Sequence, residues 1–499
     1  MNVCLKIYFG IVIMVVVMLS ACRTSAFALL GPFEPWMQET NGFRQPGDIG
    51  GPMCLTNDYR WNVPVVTYGF DPSFIAFFGT NGEAAVESAI QTINNLPSAS
   101  DIVLTSYPFN STMSYDARAL NLLDLKSWTL SLLLEQLGLA QPTRYVFVIR
   151  EWNPVFSSLN PTNDPNFPGS LYPDYISDRN FDPQTLEISQ YVNGTLYSGE
   201  VYTVSGQNFL IPFSVDPDAA TSTAVADQLS NPGEYYSDLT FDDVGGLRYL
   251  YSTNNINYEY LLPGVSYAGK KGELVNGAWR PGVNKITFVP QQVSRKSGTF
   301  QPMTVLYTDT YISNGVWFQQ PLRRAVSRPD FLFSAGDVKA SIPTVPYFST
   351  TDTASWINNA AVNENTNGAG PGIIQPPIQI TFNKLGASYY SYDSVVNPYV
   401  SPLTWASYDD RTNPPVNYPV PQIGTNQLTF RMWLYYGAEF QKSFTWKPTS
   451  LIGAQYALQS STDLKNWITL FSVTNNNTVC TYFNEVPLSG SQFYRLIPQ

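Results

Sequence analysis

Histidine is absent from the whole chain of 499 residues. Because histidine is the commonest ligand of catalytic zinc and the usual general base of serine and cysteine hydrolases, its absence argues against both reaction classes. Any catalysis would have to use carboxylates, tyrosine, lysine or a calcium ion. The chemistry left to this chain is therefore mainly that of oxygen ligands and carboxyl groups.

Charged residues are scarce, at 13% of the sequence, and 27 Lys and Arg face 38 Asp and Glu. The net charge of −11 repels phosphate backbones and anionic lipid surfaces, and no basic run offsets it locally. We therefore expect no nucleic-acid partner, and membrane contact only through a lipid anchor.

Cysteine is also rare, with four residues in the chain. Cys4 and Cys22 lie in or beside the N-terminal leader, which leaves Cys54 and Cys480. In an oxidising compartment these two could form a disulfide, and the equally open alternative is a pair of buried free thiols. Two cysteines alone do not make a structural zinc site.

One long apolar run occurs, at residues 7–19 (IYFGIVIMVVVML), directly after Lys6. This pattern predicts a signal peptide over residues 1–28 rather than a membrane span. Two processing sites are open. Cys22, at the end of LSAC, resembles the lipidated cysteine of bacterial lipoproteins, whereas AFA at 26–28 would allow ordinary cleavage after Ala28. Either site predicts an extracellular or cell-surface protein.

The remaining composition favours a folded, β-rich secreted protein of several domains, with 44% hydrophobic residues, 38 Pro and 33 Gly. We predict an α+β domain over residues 29–255 that contains a long loop insertion. All-β domains follow: a β-sandwich-like domain over 256–430 and a small β module over 431–499.

The α+β prediction rests on a series of strand and helix patterns. Residues 63–71 (VPVVTYGFD) predict a strand, and after a turn near Asn81, the stretch EAAVESAIQTINNL predicts a helix. Its apolar face consists of Ala85, Val86, Ala89, Ile90 and Ile93. A second helix is predicted over 127–138 (SWTLSLLLEQLG), with Ser127 as N-cap and Gly138 at its end. A strand at 144–151 and a helix within LTFDDVGGLRYLYS (239–252) complete the domain.

This layout, closing with DDVGGLRYLY, resembles the metzincin proteases, in particular the matrixin branch. The zinc helix of that family reads H-E-x-x-H-x-x-G-x-x-H. With Gly138 as its glycine, Ser131, Glu135 and Gln141 stand at the ligand positions and Leu132 at the catalytic glutamate. The resemblance implies a degenerate, histidine-free domain without zinc chemistry. An ordinary core helix that ends at a glycine is the open alternative.

Four aspartates occur in proline-rich segments: Asp178 and Asp182 in SDRNFDP, and Asp216 and Asp218 in VDPDA. Such oxygen ligands suit calcium, which is the one cofactor that the sequence suggests, and paired carboxylates could serve glycoside hydrolysis. Because Asp-Pro steps are common in turns, we favour solvated loops.

Beyond residue 255 the pattern changes to short alternating strands, such as NKITFVP, TVLYTDTYIS, PIQITFNKL and QLTFRMWLYY, which favours an immunoglobulin- or fibronectin-like sandwich. The last segment resembles the small β module that ends many secreted proteins of environmental bacteria. The matching residues are Tyr456, Leu458, 461–464 (STDL), Trp467 and 493–496 (FYRL). The resemblance implies a structural or adhesive end rather than a catalyst.

Aromatic residues are plentiful, with 32 Tyr, 29 Phe and 11 Trp. Their faces stack on sugar rings, but packing between sheets uses the same residues, and we favour packing. The sequence as a whole favours a non-catalytic extracellular or cell-surface protein that binds a polymer, a protein partner or copies of itself. The alternative is a glycosidase-like, carboxylate-based hydrolase or a calcium-dependent enzyme in the Asp-rich region.

Overall fold

A computed structural model of the chain describes residues 25–44, 48–55, 59–120, 122–151, 175–177, 179–204, 207–219, 224–227, 231–293, 299–335, 355–358, 372–382, 389–390, 400–401, 404–409, 415–418, 427–434, 440–447, 455–463, 465–474, 480–485 and 493–498. These residues form mostly β structure with few helices, distributed over several sheets. Cys22 and Asp178 lie outside the described residues. In the part of the chain that is described, no helix has both the length and the apolarity to cross a membrane.

The α-helices span Pro72–Asn94, Tyr115–Ala119, Leu125–Gln136, Pro142–Tyr145 and Phe241–Tyr251, and short 3-10 helices span Glu39–Asn41, Ala99–Asp101, Leu104–Ser106 and Val225–Asp227. The strands up to residue 260 are Phe27–Gly31, Gly51–Met53, Tyr59–Arg60, Val65–Phe70, Thr112–Met113, Leu122–Asp124, Leu139–Ala140, Val148–Glu151, Tyr175–Ser177, Asn180–Phe181, Tyr191–Val192, Thr195–Val204, Gln207–Ser214, Glu234–Tyr235 and Ile256–Tyr260. The later strands are Val265–Tyr267, Gly277–Pro281, Thr287–Pro290, Met303–Ser313, Val316–Val326, Phe331–Ser334, Ser355–Asn358, Gly372–Gln375, Ile378–Thr381, Tyr389–Tyr390, Val400–Ser401, Thr404–Ser407, Val416–Asn417, Gln427–Leu434, Phe440–Lys447, Gln455–Ser461, Ile468–Thr474, Cys480–Glu485 and Phe493–Pro498.

A four-stranded parallel sheet joins distant parts of the chain. Strand Val65–Phe70 pairs with Thr287–Pro290 on one side and with Phe331–Ser334 on the other, and Ile378–Thr381 extends the sheet. These apolar strands are largely buried, as parallel strands usually are. The boundary predicted at residue 255 therefore does not separate two cores, because strands from both sides of it share one sheet.

The first long helix, Pro72–Asn94, has the apolar face that its sequence predicts. Its N-cap is Asp71, whose carboxylate accepts a hydrogen bond from the amide of Phe74. The helix kinks at Gly79, where φ is 62°. The five residues of the predicted face are all buried: Ala85, Val86, Ala89, Ile90 and Ile93. The helix thus starts earlier than expected, and the predicted turn is a kink within it.

The second helix, Leu125–Gln136, is enclosed on nearly all sides. Its N-cap is Asp124, whose Oδ2 accepts hydrogen bonds from the backbone N and the Oγ of Ser127 at 2.8 and 2.6 Å. Ser127 is therefore three residues inside the capped end, and its predicted role as N-cap is wrong. The Trp128 ring packs edge-on against Trp405, 5.7 Å between centroids.

The N-terminal strand, Phe27–Gly31, lies inside the core. It pairs antiparallel with Gly51–Met53, Leu139–Ala140 and Asn180–Phe181, and all five of its residues are buried. The predicted leader, residues 1–28, overlaps this strand. Cleavage after Ala28 would remove two of its residues, whereas processing at Cys22 keeps the strand whole.

A five-stranded antiparallel sheet follows the helix Phe241–Tyr251, in the order Ile256–Tyr260, Gly277–Pro281, Met303–Ser313, Val316–Val326 and Val265–Tyr267. Its long hairpin turns at Asn314 and Gly315, with φ angles of 52° and 75°, which is the geometry of a two-residue turn with both central residues left-handed. The expectation of a β-rich region beyond residue 255 is confirmed at this coarse level.

In the predicted C-terminal module, Tyr456 and Leu458 lie on the strand Gln455–Ser461, and residues 493–496 lie on the strand Phe493–Pro498. Strand Gln455–Ser461 lies between Ile468–Thr474 and Phe493–Pro498. Cys480–Glu485 belongs to another sheet, paired with Phe440–Lys447. Cys54 is a half-buried free thiol next to the strand Gly51–Met53, which corresponds to the free-thiol alternative of the two left open by the sequence.

Candidate functional site

The positions aligned with the zinc helix lie in different environments. Ser131 and Leu132 are enclosed in the core at 1% and 0% exposure, whereas Glu135 and Gln141 are partly exposed. Gly138 follows the helix with φ of 103°, and a Cβ there would approach the Tyr59 carbonyl oxygen to 2.3 Å. Over the described residues, no group of three or more His, Cys, Asp or Glu side chains is arranged to hold a metal ion.

Glu135 faces a partly buried ion pair. Arg144 binds the carboxylate of Asp48 with both terminal nitrogens, at 2.5 and 2.8 Å. Burial, together with the negative charge of Asp48, raises the pKa of Glu135 to about 8, although the positive charge of Arg144 opposes the shift. Glu135 therefore holds its proton near neutral pH while Asp48 pairs with the arginine.

The variant Glu135→Gln should be more stable than the natural chain at high pH. Because the folded-state pKa of about 8 lies above the ordinary 4.5, folding binds a proton, and the free energy of unfolding falls as pH rises between these values. We expect a gain of about 2 kcal/mol at pH above 8, less than the full shift implies because the side chain is partly exposed, and almost none near pH 4. Urea unfolding at both pH values measures it. Glu39→Gln, at an exposed position, is the control, and equal pH dependence in all three proteins would contradict the assignment.

Asp242 and Asp243, which are buried in DDVGG, and the half-buried Asp227 serve the fold. Asp243 completes a capping box with Thr240 and accepts hydrogen bonds from the amides of Val225 and Ala226, both at 3.0 Å. Asp242 accepts from the amide of Asn193 at 2.6 Å. Asp227 accepts from the backbone and hydroxyl of Thr143, and burial raises its pKa to about 7. The carboxylates of Asp242 and Asp243 attach loops to the helix Phe241–Tyr251, and that of Asp227 joins the segment Val225–Asp227 to the helix Pro142–Tyr145.

The aspartates predicted as possible calcium ligands stabilise local turns. Asp182 Oδ1 accepts hydrogen bonds from the amides of Gln184 and Thr185, each at 2.8 Å, and Asp216 Oδ1 accepts from the amide of Asp218 at 3.0 Å. Such bonds are typical of Asx turns. Asp216 and Asp218 are exposed, so these loops have the solvated character that the sequence favours.

A cleft of about 850 Å³ opens at the C-terminal end of the helix Phe241–Tyr251, beside the loop at Pro183. Its polar lining consists mainly of amides and hydroxyls, and its aromatic lining includes Tyr258 and Trp279. Arg248 is the single charged residue among the described lining residues, and none of them is an aspartate or a glutamate. The guanidinium of Arg248 donates a hydrogen bond to the carbonyl of Pro183 at 2.6 Å.

The cleft is positioned by the segment STNNINYEY (252–260), where the helix ends and the next strand begins. Asn255 Nδ2 donates to the main-chain carbonyls of Tyr249 and Leu250. The main-chain carbonyl of Asn255 accepts a hydrogen bond from the guanidinium of the buried Arg60 at 2.8 Å. On the following strand, the Tyr258 ring meets Trp279 edge-on, 5.8 Å between centroids. Asn255 is thus held by hydrogen bonds to the buried Arg60 and to the end of the helix, and the rings of Tyr258 and Trp279 hold each other in place.

The sequence interpretation missed this cleft. The signal that could have indicated it is the interleaving of asparagines with aromatic residues directly after a helix, because amides and rings together are the usual sugar-binding groups. The same stretch also has the composition of a turn, and the contributions of Gln184 and Trp279 come from elsewhere in the chain.

Comparisons with known proteins provide no relative. No family model matches the chain, and neither a curated protein nor a solved structure shows significant similarity to it. The function of the chain must therefore be inferred from its own residues.

Proposed function

We propose that this chain is an exported, non-catalytic protein that binds a carbohydrate polymer in the cleft at the end of the helix Phe241–Tyr251. One observation carries the proposal: the lining combines the Tyr258 and Trp279 rings with amides and hydroxyls. Sugar rings pack their C–H faces on aromatic rings and exchange hydrogen bonds with amides and hydroxyls. Glycosidases need two carboxylates beside the scissile bond, so a lining of this kind supports binding rather than cleavage.

In this proposal the histidine-free, protease-like region is a scaffold, and the β modules beyond it serve binding or adhesion. Export is supported by the N-terminal signal, and attachment through lipid on Cys22 is supported by the core position of Ser25 to Ala28. The alternative of a carboxylate-based or calcium-dependent enzyme has less support, because Asp182 and Asp216 are engaged in their own turns.

The variant Trp279→Ala should lose about tenfold or more in affinity for the polysaccharide that the natural protein binds, because the exposed ring supplies the main stacking surface. Affinity gel electrophoresis against a panel of soluble neutral polysaccharides measures the change. Phe213→Ala is the matched control, since Phe213 is 43% exposed and Trp279 44%. Equal affinities for the natural protein and Trp279→Ala would contradict the proposal, and so would an equal loss in both variants.

A further inference from the structure

The aromatic wall of the cleft continues as a row across the five-stranded sheet. Tyr258 lies opposite Trp279, Trp279 opposite Ile312, and Ile312 opposite Trp317. Directly opposed residues of antiparallel strands project from the same face of a sheet. These four side chains therefore form one row across four neighbouring strands.

This row lies on the open face of the sheet. Trp279 and Trp317 are 44% and 53% exposed. Arg280, which follows Trp279 on the same strand, projects from the opposite face and is 1% exposed. There the Arg280 guanidinium binds Asp309 at 2.9 and 3.1 Å, and Gln320 donates to the same carboxylate at 2.7 Å. A buried polar network thus holds in place the strands that carry the exposed rings.

The length of the row exceeds one sugar ring. Neighbouring strands are about 4.8 Å apart, so Trp279 and Trp317, on strands two apart, are separated by about 10 Å, and Tyr258 lies one strand further away. An aromatic platform of this length matches several consecutive units of an extended chain. A monosaccharide would contact one ring only.

On the hairpin the surroundings of the row are neutral, and in the cleft the one charged residue among the described lining residues, Arg248, donates to the Pro183 carbonyl. The adjacent pair on the same face is Thr310 and Gln319, which offer a hydroxyl and an amide. The first charged side chain met along that face of the hairpin is Arg323, opposite Leu306 and three pairs away from Trp317. Because the whole chain also carries a net charge of −11, a polyanion would be repelled. A neutral chain fits this charge distribution.

We infer that the row extends the cleft into a binding platform for an extended, neutral polysaccharide, in which Trp279 binds the units nearest the cleft and Trp317 binds units further along the chain. This inference rests on the proposed function and adds its ligand class. Its consequence is that affinity grows with chain length and that this growth depends on Trp317.

The test uses the full mature chain and size-fractionated oligosaccharides of the neutral polysaccharide that it binds best in the panel. We expect affinity to rise with oligosaccharide length, and Trp317→Ala to lower the affinity for the longest fraction about tenfold while leaving that for the shortest one unchanged. Trp279→Ala should weaken binding at every length. Trp317→Phe, which keeps a ring, should recover part of the length dependence, and Phe213→Ala should change neither.

Two outcomes overturn the inference but not the proposed function. In the first, Trp279→Ala weakens binding while Trp317→Ala leaves the rise of affinity with oligosaccharide length unchanged. In the second, Trp317→Ala lowers the affinity equally for every oligosaccharide length. Vesicles of phosphatidylcholine provide a further arm. If the natural chain binds them and Trp317→Ala does not, the row contacts a lipid surface and the inference fails. If the natural chain binds no neutral polysaccharide, the inference and the proposed function fail together.

Discussion

A chain that starts at Leu29 is expected to be at least about 4 kcal/mol less stable than one that starts at Cys22. Ser25, Ala26, Phe27 and Ala28 are at most 2% exposed. The Phe27 ring lies 5.7 Å from the ring of Tyr249 and 6.2 Å from that of Phe181. Loss of this segment leaves a cavity in the core, and deletion of a buried phenylalanine alone typically costs about 3–5 kcal/mol.

The same truncation affects Asp242, whose buried carboxylate accepts a hydrogen bond from the Ser25 hydroxyl. Urea unfolding of chains 22–499, 25–499 and 29–499 measures both effects. The chain that starts at Ser25 is the matched control, because it keeps every buried residue of the segment and should unfold like the longest one. Equal stability of all three would show that the strand Phe27–Gly31 does not need its first residues, and cleavage after Ala28 would then be compatible with the fold.

Arg60→Met is expected to cost about 3–5 kcal/mol of unfolding free energy. The guanidinium is fully buried, pairs with the Glu259 carboxylate at 2.9 Å, and donates to the carbonyls of Leu250, Asn255 and Arg280. Methionine has similar length but no donor, so the variant removes the cation from a buried ion pair and the donor from three carbonyls, of which those of Leu250 and Arg280 accept buried hydrogen bonds. This loss should be among the largest for a single substitution.

The double variant Arg60→Met, Glu259→Leu separates charge from packing. Because replacement of both members of a buried ion pair by apolar residues is often close to neutral, the second change should recover a large part of the lost unfolding free energy.

Arg60 also holds Asn255 at the cleft, so Arg60→Met should lower polysaccharide affinity under conditions where the variant stays folded. A cost below about 1 kcal/mol in urea unfolding would contradict this account of the pair.

Local patterns in the sequence predicted several elements, but the strand predicted over 144–151 was wrong in its first part, where the helix Pro142–Tyr145 ends and the strand begins only at Val148. The buried face of the helix Pro72–Asn94 and the strand Val65–Phe70 follow from periodicity within one segment. The partners of that strand do not, because Phe331–Ser334 lies more than 250 residues away and no short-range signal encodes a parallel pairing. This is why a boundary at residue 255 was expected where one sheet is continuous.

The first residue of the helix Leu125–Gln136 also depends on a contact that is distant in sequence. Asp124 and Ser127 are both good N-cap residues. The strand Leu122–Asp124 pairs with Thr404–Ser407 and ends at Asp124, so a contact with a distant segment determines where the helix begins. The motif therefore identified the helix but not its first turn.

The sequence indicated a residue type that can bind sugars, the aromatic side chains, but it did not indicate where such residues would form a binding site. Aromatic residues were expected to pack between sheets; Trp405 is buried at 2% exposure, but its ring packs against Trp128 and Phe78 on two helices. Trp279 is of the same type but lies on the open face of a sheet. Whether Trp279 packs in the core or faces solvent depends on which face of its sheet the rest of the fold covers. This is determined by tertiary structure and not by the local sequence.

The most direct test of the proposed function measures binding and cleavage in one sample. The mature chain is incubated with each neutral polysaccharide of the panel, and bound protein and newly formed reducing ends are both quantified. We predict saturable binding to at least one of them with no release of reducing ends. Release in proportion to protein concentration, or binding to none, would contradict the proposal.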